Sequence, residues 1–323
     1  EPISPSSSMN VGTSILVGRK QESAGAYRMK KWLKRIGIVF SVIILLLAAF
    51  LSYAYFIEPR QFVVIHDTLT IPHWSPNLNG LKVVTIADLH TGSNWAPPER
   101  IRYVVEQANA QNPDLIVLLG DYVSERVWDR EARRKPEGTD RTELWVPVDD
   151  IAASLKGFKA KYGVFAIIGN HDWYHNEPNI HRKFEEVAGI TVLQNEIQEI
   201  EINGEKVRLW GIEDLYRNRR VPLEPFEALA EKTNIIALTH NPDSSLQMPE
   251  GFAIMFSGHT HGGQLNWPII GPFAVFNDKR FMDGHAIVDG KHVYVSSGVG
   301  TSVLPFRFRV PPEINVVTLN AAQ

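Results

Sequence analysis

The apolar pattern of this 323-residue chain begins with one unbroken stretch: Ile36 to Ile57 contains no charge and carries Val42-Ile43-Ile44-Leu45-Leu46-Leu47 at its centre. At about 1.5 Å of rise per helical residue, these 22 residues reach roughly 33 Å, enough to cross a bilayer core. A buried helix of a globular domain would keep some polar face, and this stretch has none. It is also longer than the apolar part of a cleaved signal peptide, and no small-x-small site follows it. The pattern therefore predicts an uncleaved membrane helix over 36–57, with Tyr53 and Tyr55 near its far end as interfacial aromatics. Residues 1–8, ahead of Met9, read as an added lead, and residues 1–35 as a whole as a disordered, basic one. Residues 58–80 form a connection containing Pro and Asn, and 81–323 the folded domain.

From Leu81 the pattern changes to short runs rich in Val and Ile: Leu81 to Ala87, Leu115 to Leu119, Gly163 to Ile168, Asn234 to Thr239 and Phe252 to Phe256. Their length suits buried strands. Helical spacing lies between several of them, at Pro98 to Ala110 and Val148 to Lys156. A further group, Thr191 to Leu193, Ile197 to Ile202 and Lys206 to Trp210 with Asn203-Gly204 between the last two, reads as hairpins and a second sheet. The class is α/β, without internal repeats or a second membrane-length run.

Each buried run ends in polar chemistry. The first leads into Asp88-Leu89-His90, the second into Gly120-Asp121, and the third into Gly169-Asn170-His171-Asp172. The fourth leads into His240-Asn241, the fifth into Gly258-His259-Thr260-His261. Any one of these fragments could be turn or cap chemistry. Five in a row at strand ends, where an unpaired buried polar group costs about 1–3 kcal/mol, point to a metal cluster in a crevice at the carboxyl edge of the sheet. Composition narrows the kind of cluster: the chain has eleven histidines and no cysteine, so imidazole, carboxylate and amide must do the binding.

These motifs resemble those of the calcineurin-like metallophosphoesterases, and the match spans about residues 81 to 320. Thr239-His240-Asn241-Pro242-Asp243, Gly258 to Gln264 and Gly298-Val299-Gly300-Thr301 are similar to a membrane-anchored bacterial branch. That branch includes pyrophosphohydrolases acting on UDP-2,3-diacylglucosamine in lipid A synthesis. The resemblance implies a four-layer αββα sandwich of two mixed sheets behind the N-terminal helix. It further implies two divalent metal ions, Mn first with Fe, Zn or Mg as alternatives. Asp88, His90 and His261 would hold one, Asn170, His240 and His259 the other, and Asp121 would bridge them. Metals lower the pKa of bound water towards neutrality, so hydroxide is the expected nucleophile. His171 would contact the phosphate and protonate the leaving oxygen, beside Asp121 as the second catalytic residue. Asp172 would either orient His171 or cap the next helix. His66, His73, His175, His181, His285 and His292 fall in no motif and are expected at the surface or in structural roles.

Substrate choice is expected from three loops. One is the insertion Tyr122 to Val148 with Trp128 and Trp145; another is Trp267 to Phe273; the third is Leu304 to Arg309. Trp267, Arg307 and Arg309 are the candidate substrate-binding residues, with the arginines facing a diphosphate. The expected partners are the bilayer and a phosphorylated lipid or nucleotide-linked lipid. The expected reaction releases UMP and 2,3-diacylglucosamine 1-phosphate. A general phosphodiesterase or phosphatase of the cell envelope is the second reading, and a non-catalytic membrane scaffold a third of another class. No basic face interleaved with aromatics predicts nucleic-acid binding, and no feature points to a protein partner. The net charge of −3 divides into +5 over residues 1–35 and −8 over the remainder. Basic residues before an apolar helix favour a cytoplasmic amino end and an external body on a bacterial inner membrane. A UDP-linked precursor would instead require the cytoplasmic face, so the side of the membrane stays open.

Overall fold

Strict alternation of side chains along two sets of strands builds the body of this protein, for which the computed structural model describes residues 12–126, 134–268, 270–272 and 278–322. Trp128, Ile269 and Phe273 of the expected substrate loops lie outside the described residues. The strands in chain order are β1 Val63–Ile71, β2 Leu81–Ile86, β3 Leu115–Leu118, β4 Val164–Ala166, β5 Thr191–Val192, β6 Glu196–Ile202 and β7 Glu205–Ile212. They continue as β8 Ile235–Thr239, β9 Ile254–Ser257, β10 Asn266–Trp267, β11 Gly271–Pro272, β12 Gly284–Val288, β13 Lys291–Val295 and β14 Glu313–Ala321. The longer helices are α1 Gly12–Ser52, α2 Pro98–Ala110, α3 Val148–Ser154 and α4 Asn170–Lys183.

Two mixed six-stranded sheets result, ordered β1-β14-β2-β3-β4-β5 and β12-β13-β9-β8-β7-β6. Leu81, Val83, Leu115 and Val117 of the first sheet meet Val207, Leu209, Ile236, Leu238, Ile254 and Phe256 of the second in one buried cluster between the sheets. The alternate residues Val84, Ile86, Ile116 and Leu118 turn the other way, onto Ile101, Val104, Ile151 and Ile180 of α2, α3 and α4. On the far side, Trp210, Ile235, Ala237 and Met255 pack with Phe226, Met248 and Phe281 from short helical turns and loops. Each such buried aliphatic side chain stabilises by roughly 1.5–3 kcal/mol, and period-two placement is what lets one strand serve two layers. The layer order is the expected αββα.

Three departures from the sequence reading have physical causes. The ligand-bearing strands do not share one sheet: β2, β3 and β4 lie in the first sheet and β8 and β9 in the second, all with parallel neighbours. The stretch 58–80 is more than a connection, because β1 pairs in parallel with β14 along its whole length, from Val63 opposite Glu313 to Ile71 opposite Ala321. Its half-exposed edge position tolerates His66, Asp67 and Thr68, which interrupt the apolar signal. Third, the lead expected to be disordered is helical from Gly12, joining the apolar stretch without a break. Helix propagation adds one hydrogen bond per residue once nucleated, so a long apolar helix readily extends into a flank of Lys, Arg, Gln and Ala.

The chain divides into two compact units, residues 1–52 and 53–323. In the first, the apolar residues from Ile36 to Leu47 are exposed, and the helix is long and apolar enough to cross a membrane by length and composition. The second unit begins with Tyr53–Ile57, where Ala54 is fully buried and accepts a hydrogen bond from the Arg307 backbone.

Candidate metal centre

The centre lies where the carboxyl ends of strands from both sheets meet. The first sheet contributes Asp88, His90, Asp121, Asn170 and His171, and the second His240, His259 and His261. His240 Nε2 is 3.0 Å from Asp121 Oδ2, and His90 Nε2 is 3.6 Å from the same oxygen. His261 Nε2 is 3.4 Å from Asp88 Oδ1, and His259 Nδ1 is 3.1 Å from His240 Nε2. Three groups each bring their ligand atoms within 4.8 Å of one another: Asp88, His90 and His261; Asp121, His240 and His259; and His90, Asp121 and His171. Asn170 stands between Gly169 and His171, whose backbone N–H donates to Asp121 Oδ1 at 2.9 Å.

Close backbone approach makes this crowding possible. A Cβ on Gly169 would lie 2.2 Å from Asp121 Oδ1, one on Gly258 2.5 Å from Asp88 Oδ2, and one on Gly120 2.6 Å from the Gly169 nitrogen. Asp88, His90, Asp121, His259 and His261 all adopt left-handed backbone, with φ of 51°, 39°, 57°, 73° and 52°. Such conformations cost about 1–3 kcal/mol each and persist where surrounding structure imposes them, characteristically at functional sites.

Two neutral rings and a set of orphaned buried atoms fit divalent cations. Burial pushes His90 down to about 4 and His259 down to about 3, so both rings are neutral and offer lone pairs at neutral pH. Burial pushes Asp88 up to about 7. Burial also opposes ionisation of Asp121, yet His240 and His171 hold its carboxyl well below the usual carboxylate range. Three buried atoms, His90 Nε2, Asn170 Oδ1 and His261 Nδ1, have no hydrogen-bond partner among the described residues. Two buried carboxylates with orphaned imidazole and amide lone pairs form a donor set suited to transition metals. The ring of His240 is fixed by its Nδ1 on the Leu119 carbonyl at 2.7 Å, and that of His90 by its Nδ1 on the Val123 carbonyl at 3.1 Å. Both nitrogens that face the centre are therefore the Nε2 atoms.

His171 sits on the rim of this group, its ring 4.8 Å from that of His90. Its partner is Glu125, whose Oε2 is 2.8 Å from Nδ1, while Ser302 Oγ lies 3.5 Å from Nε2. Burial alone would lower this imidazole, but Asp121 and Glu125 carry it up to about 9. The sequence reading did not include Glu125 or Ser302. Asp172 takes the capping alternative, since its carboxylate accepts the backbone N–H groups of Gly169, Asp121, Tyr122 and Val123 and locks two ligand loops together.

A cleft of about 950 Å³ opens from His90, Glu125 and His171. Its other walls include Tyr55, Phe56, Trp95, Trp145, Leu304 and Pro305, so the insertion after Tyr122 and the loop before Arg307 both border it. The expected substrate residues fare differently. Arg307 is fully buried and donates to the carbonyls of Ser297, Gly298, Gly300 and Val310, which corrects its assignment: it ties loops together and presents no charge to a substrate. Neither Trp267, half-buried with its ring 5.7 Å from Phe308, nor the exposed Arg309 lines the cleft. Of the six histidines outside the motifs, His66, His73 and His285 are exposed and His292 is half-exposed. His181 pairs with Glu177 and Glu185, and the buried His175 bonds Thr142.

Comparison with known proteins bears on this geometry directly. The calcineurin-like phosphoesterase model matches residues 81–263, a span containing every ligand candidate. The chain is 32% identical to the phosphodiesterase YaeI of Escherichia coli over 272 residues, covering 83% of this chain and 92% of that one. It is 28% identical to the uncharacterized metallophosphoesterase YkuE of Bacillus subtilis over 276 residues, covering 84% and 90%.

Proposed function

The chain belongs to the calcineurin-like phosphoesterases and is a metal-dependent phosphoester hydrolase, and from that premise we propose that it cleaves a phosphodiester or pyrophosphate bond in a lipid-linked substrate at the membrane surface. The observation that carries this reading is the cleft that joins His90, Glu125 and His171 to Tyr55 and Phe56, near the end of the apolar stretch that reads as a membrane helix. A phosphoryl group at the one end and acyl chains at the other would both be accommodated.

Asp88, His90 and His261 would hold one divalent ion, Mn in our reading, and Asn170, His240 and His259 a second, with Asp121 between them. Such ions polarise phosphoryl oxygen and activate water when bound. The chain's own part is orientation and proton supply. Glu125, an acceptor only, holds the proton of His171 on Nδ1, and Asp121 anchors the backbone of the same residue. The other edge of the ring, Nε2, faces the cleft beside Ser302 and is placed to donate to a leaving oxygen. Trp145 and Val146 line the cleft from the insertion.

UDP-2,3-diacylglucosamine is the specific candidate, since it combines a pyrophosphate with two acyl chains. The test is the full chain, loaded with Mn in detergent micelles, given this lipid and followed by mass spectrometry. UMP and 2,3-diacylglucosamine 1-phosphate are expected, and neither should form with Asp121→Ala or His171→Ala. An intact lipid alongside cleavage of bis-(p-nitrophenyl) phosphate would replace this candidate with the second reading, a general envelope phosphodiesterase. That second reading is supported by the basic flank before the apolar stretch, which by the positive-inside rule favours an outward body, and by the similarity to the phosphodiesterase YaeI.

A further inference from the structure

The loop Thr301–Pro305 connects the metal centre to the start of the folded body in five residues. Ser302 Oγ faces His171 Nε2. The next residue, Val303, is 89% exposed and holds φ at 61°, a conformation that a β-branched residue adopts only under constraint. Leu304 follows, also exposed, and the Pro305 carbonyl accepts from Asn94 Nδ2 at 2.7 Å. The same Asn94 amide reaches the Tyr55 carbonyl at 3.1 Å, and Trp95 Nε1 donates to that carbonyl too.

This loop is built to stay outward. The nearly buried Gln264, three residues after His261, accepts from the Ser302 N–H at 2.9 Å and donates to the Leu304 carbonyl at 2.7 Å. Both ends of one amide thus hold the apolar tip away from the body, although an exposed Val and Leu gain nothing from water. The surroundings indicate what covers them. Phe56 and Ile57, at the end of the uncharged stretch, are about half exposed. Beyond them Arg60 stacks its guanidinium 3.5 Å from the Trp95 ring centroid, and Arg100 donates to the Arg60 carbonyl. An apolar tip, interfacial aromatics and a flanking pair of arginines are the composition of a surface that sits in an anionic bilayer interface.

Resting on the lipid-substrate reading above, we infer that Val303 and Leu304 form a lip inserted into the bilayer, so that the mouth of the cleft opens onto lipid and a membrane-resident phosphate ester reaches His171 without leaving the interface. The lip is rigid, held by Gln264 to the loop that carries His259 and His261, so its seating on lipid sets the depth of the centre relative to the headgroups.

The absence of native cysteine makes the test direct. Full-length Val303→Cys, Leu45→Cys and Ile287→Cys are each labelled with a fluorophore and reconstituted into phosphatidylethanolamine–phosphatidylglycerol vesicles containing an acyl-chain nitroxide lipid. Quenching at 303 and 45 but not at 287 is expected. Quenching at 45 without quenching at 303 overturns the lip and leaves the anchored helix standing. Quenching at neither overturns the membrane reading as a whole. A second measurement compares hydrolysis of a vesicle-borne lipid substrate with that of a soluble diester in Val303→Asp. The ratio of the two rates is expected to fall about tenfold or more, the cost of placing one charge where an apolar group was inserted. An equal loss on both substrates overturns the lip.

Discussion

Glu125 Oε2 lies 2.8 Å from Nδ1 of His171, and this contact joins a residue of the insertion after Tyr122 to the one imidazole of the site that stands outside the proposed ligand set. A carboxylate accepts only, so the pair fixes the plane of the ring and favours the form protonated on both nitrogens, which leaves Nε2 a proton to donate. Glu125→Gln keeps the shape but not the charge. It is expected to lower kcat by up to about 100-fold, the low end of what a positioned general acid contributes. KM and bound metal should change little. Loss of metal instead, measured by elemental analysis of the purified variant, would show that Glu125 supports the ligand shell and not His171.

Arg307 is expected to matter for stability, not for substrate. Its guanidinium serves the carbonyls of four residues in the loops following β13 and preceding β14. Burial lowers it to about 10, which leaves it charged at neutral pH. Arg307→Met would strand the carbonyls of Ser297, Gly300 and Val310, while that of Gly298 keeps the Glu313 N–H, and is expected to destabilise by about 3–5 kcal/mol. Lys could not replace the planar fork. Thermal unfolding is the check, since a substrate-binding role would change KM at an unaltered midpoint.

Gly169→Ala tests the close approach of two ligand loops. The added methyl carbon would fall 2.2 Å from Asp121 Oδ1 and 2.4 Å from the Asp121 nitrogen, and neither can withdraw while Asp172 holds the loop. At least a 100-fold drop in activity is expected, about 2.7 kcal/mol in barrier, with fewer than two metals per chain. A fully loaded, active variant would show that the Asp121 loop moves freely.

Metal removal should loosen the whole body. A ligand present at about 100 times its Kd stabilises by about 2.7 kcal/mol, and a domain of this size shifts by roughly 2–4 °C per kcal/mol. Chelation is thus expected to lower the unfolding midpoint by about 5 °C or more. Asp121→Asn, already weakened in metal binding, should show a smaller change under the same treatment. An unchanged midpoint for the native chain on chelation would contradict a metal pair at this position.

How much of this could be read from the chain depends on whether the signal was local. The runs around Val83, Val117 and Leu238 announce strands because both faces are buried, and Asp88, Asp121 and His240 follow them directly. Which sheet each run joins is decided by pairings across the chain: β5 pairs with β4, but β6 pairs with β7 in the other sheet. β1 carries His66 and Asp67 on an edge and gives a weak apolar signal. Arg307 alternates with Phe306 and Phe308 as an exposed strand residue would, yet four loop carbonyls draw it inward. Glu125 and Ser302 meet at His171 from positions far apart in sequence, so no spacing rule joins them.

The position of β14 bears on how the protein is made. Residues 313–321 occupy the space between β1 and β2, pairing with both. During synthesis those two strands emerge early and have no partner for one another. The first sheet cannot close until β14 has left the ribosome, long after the apolar stretch before β1. The body is therefore completed late, and a chain lacking residues 313–321 carries all the ligand candidates without the strand that joins β1 to the rest of its sheet.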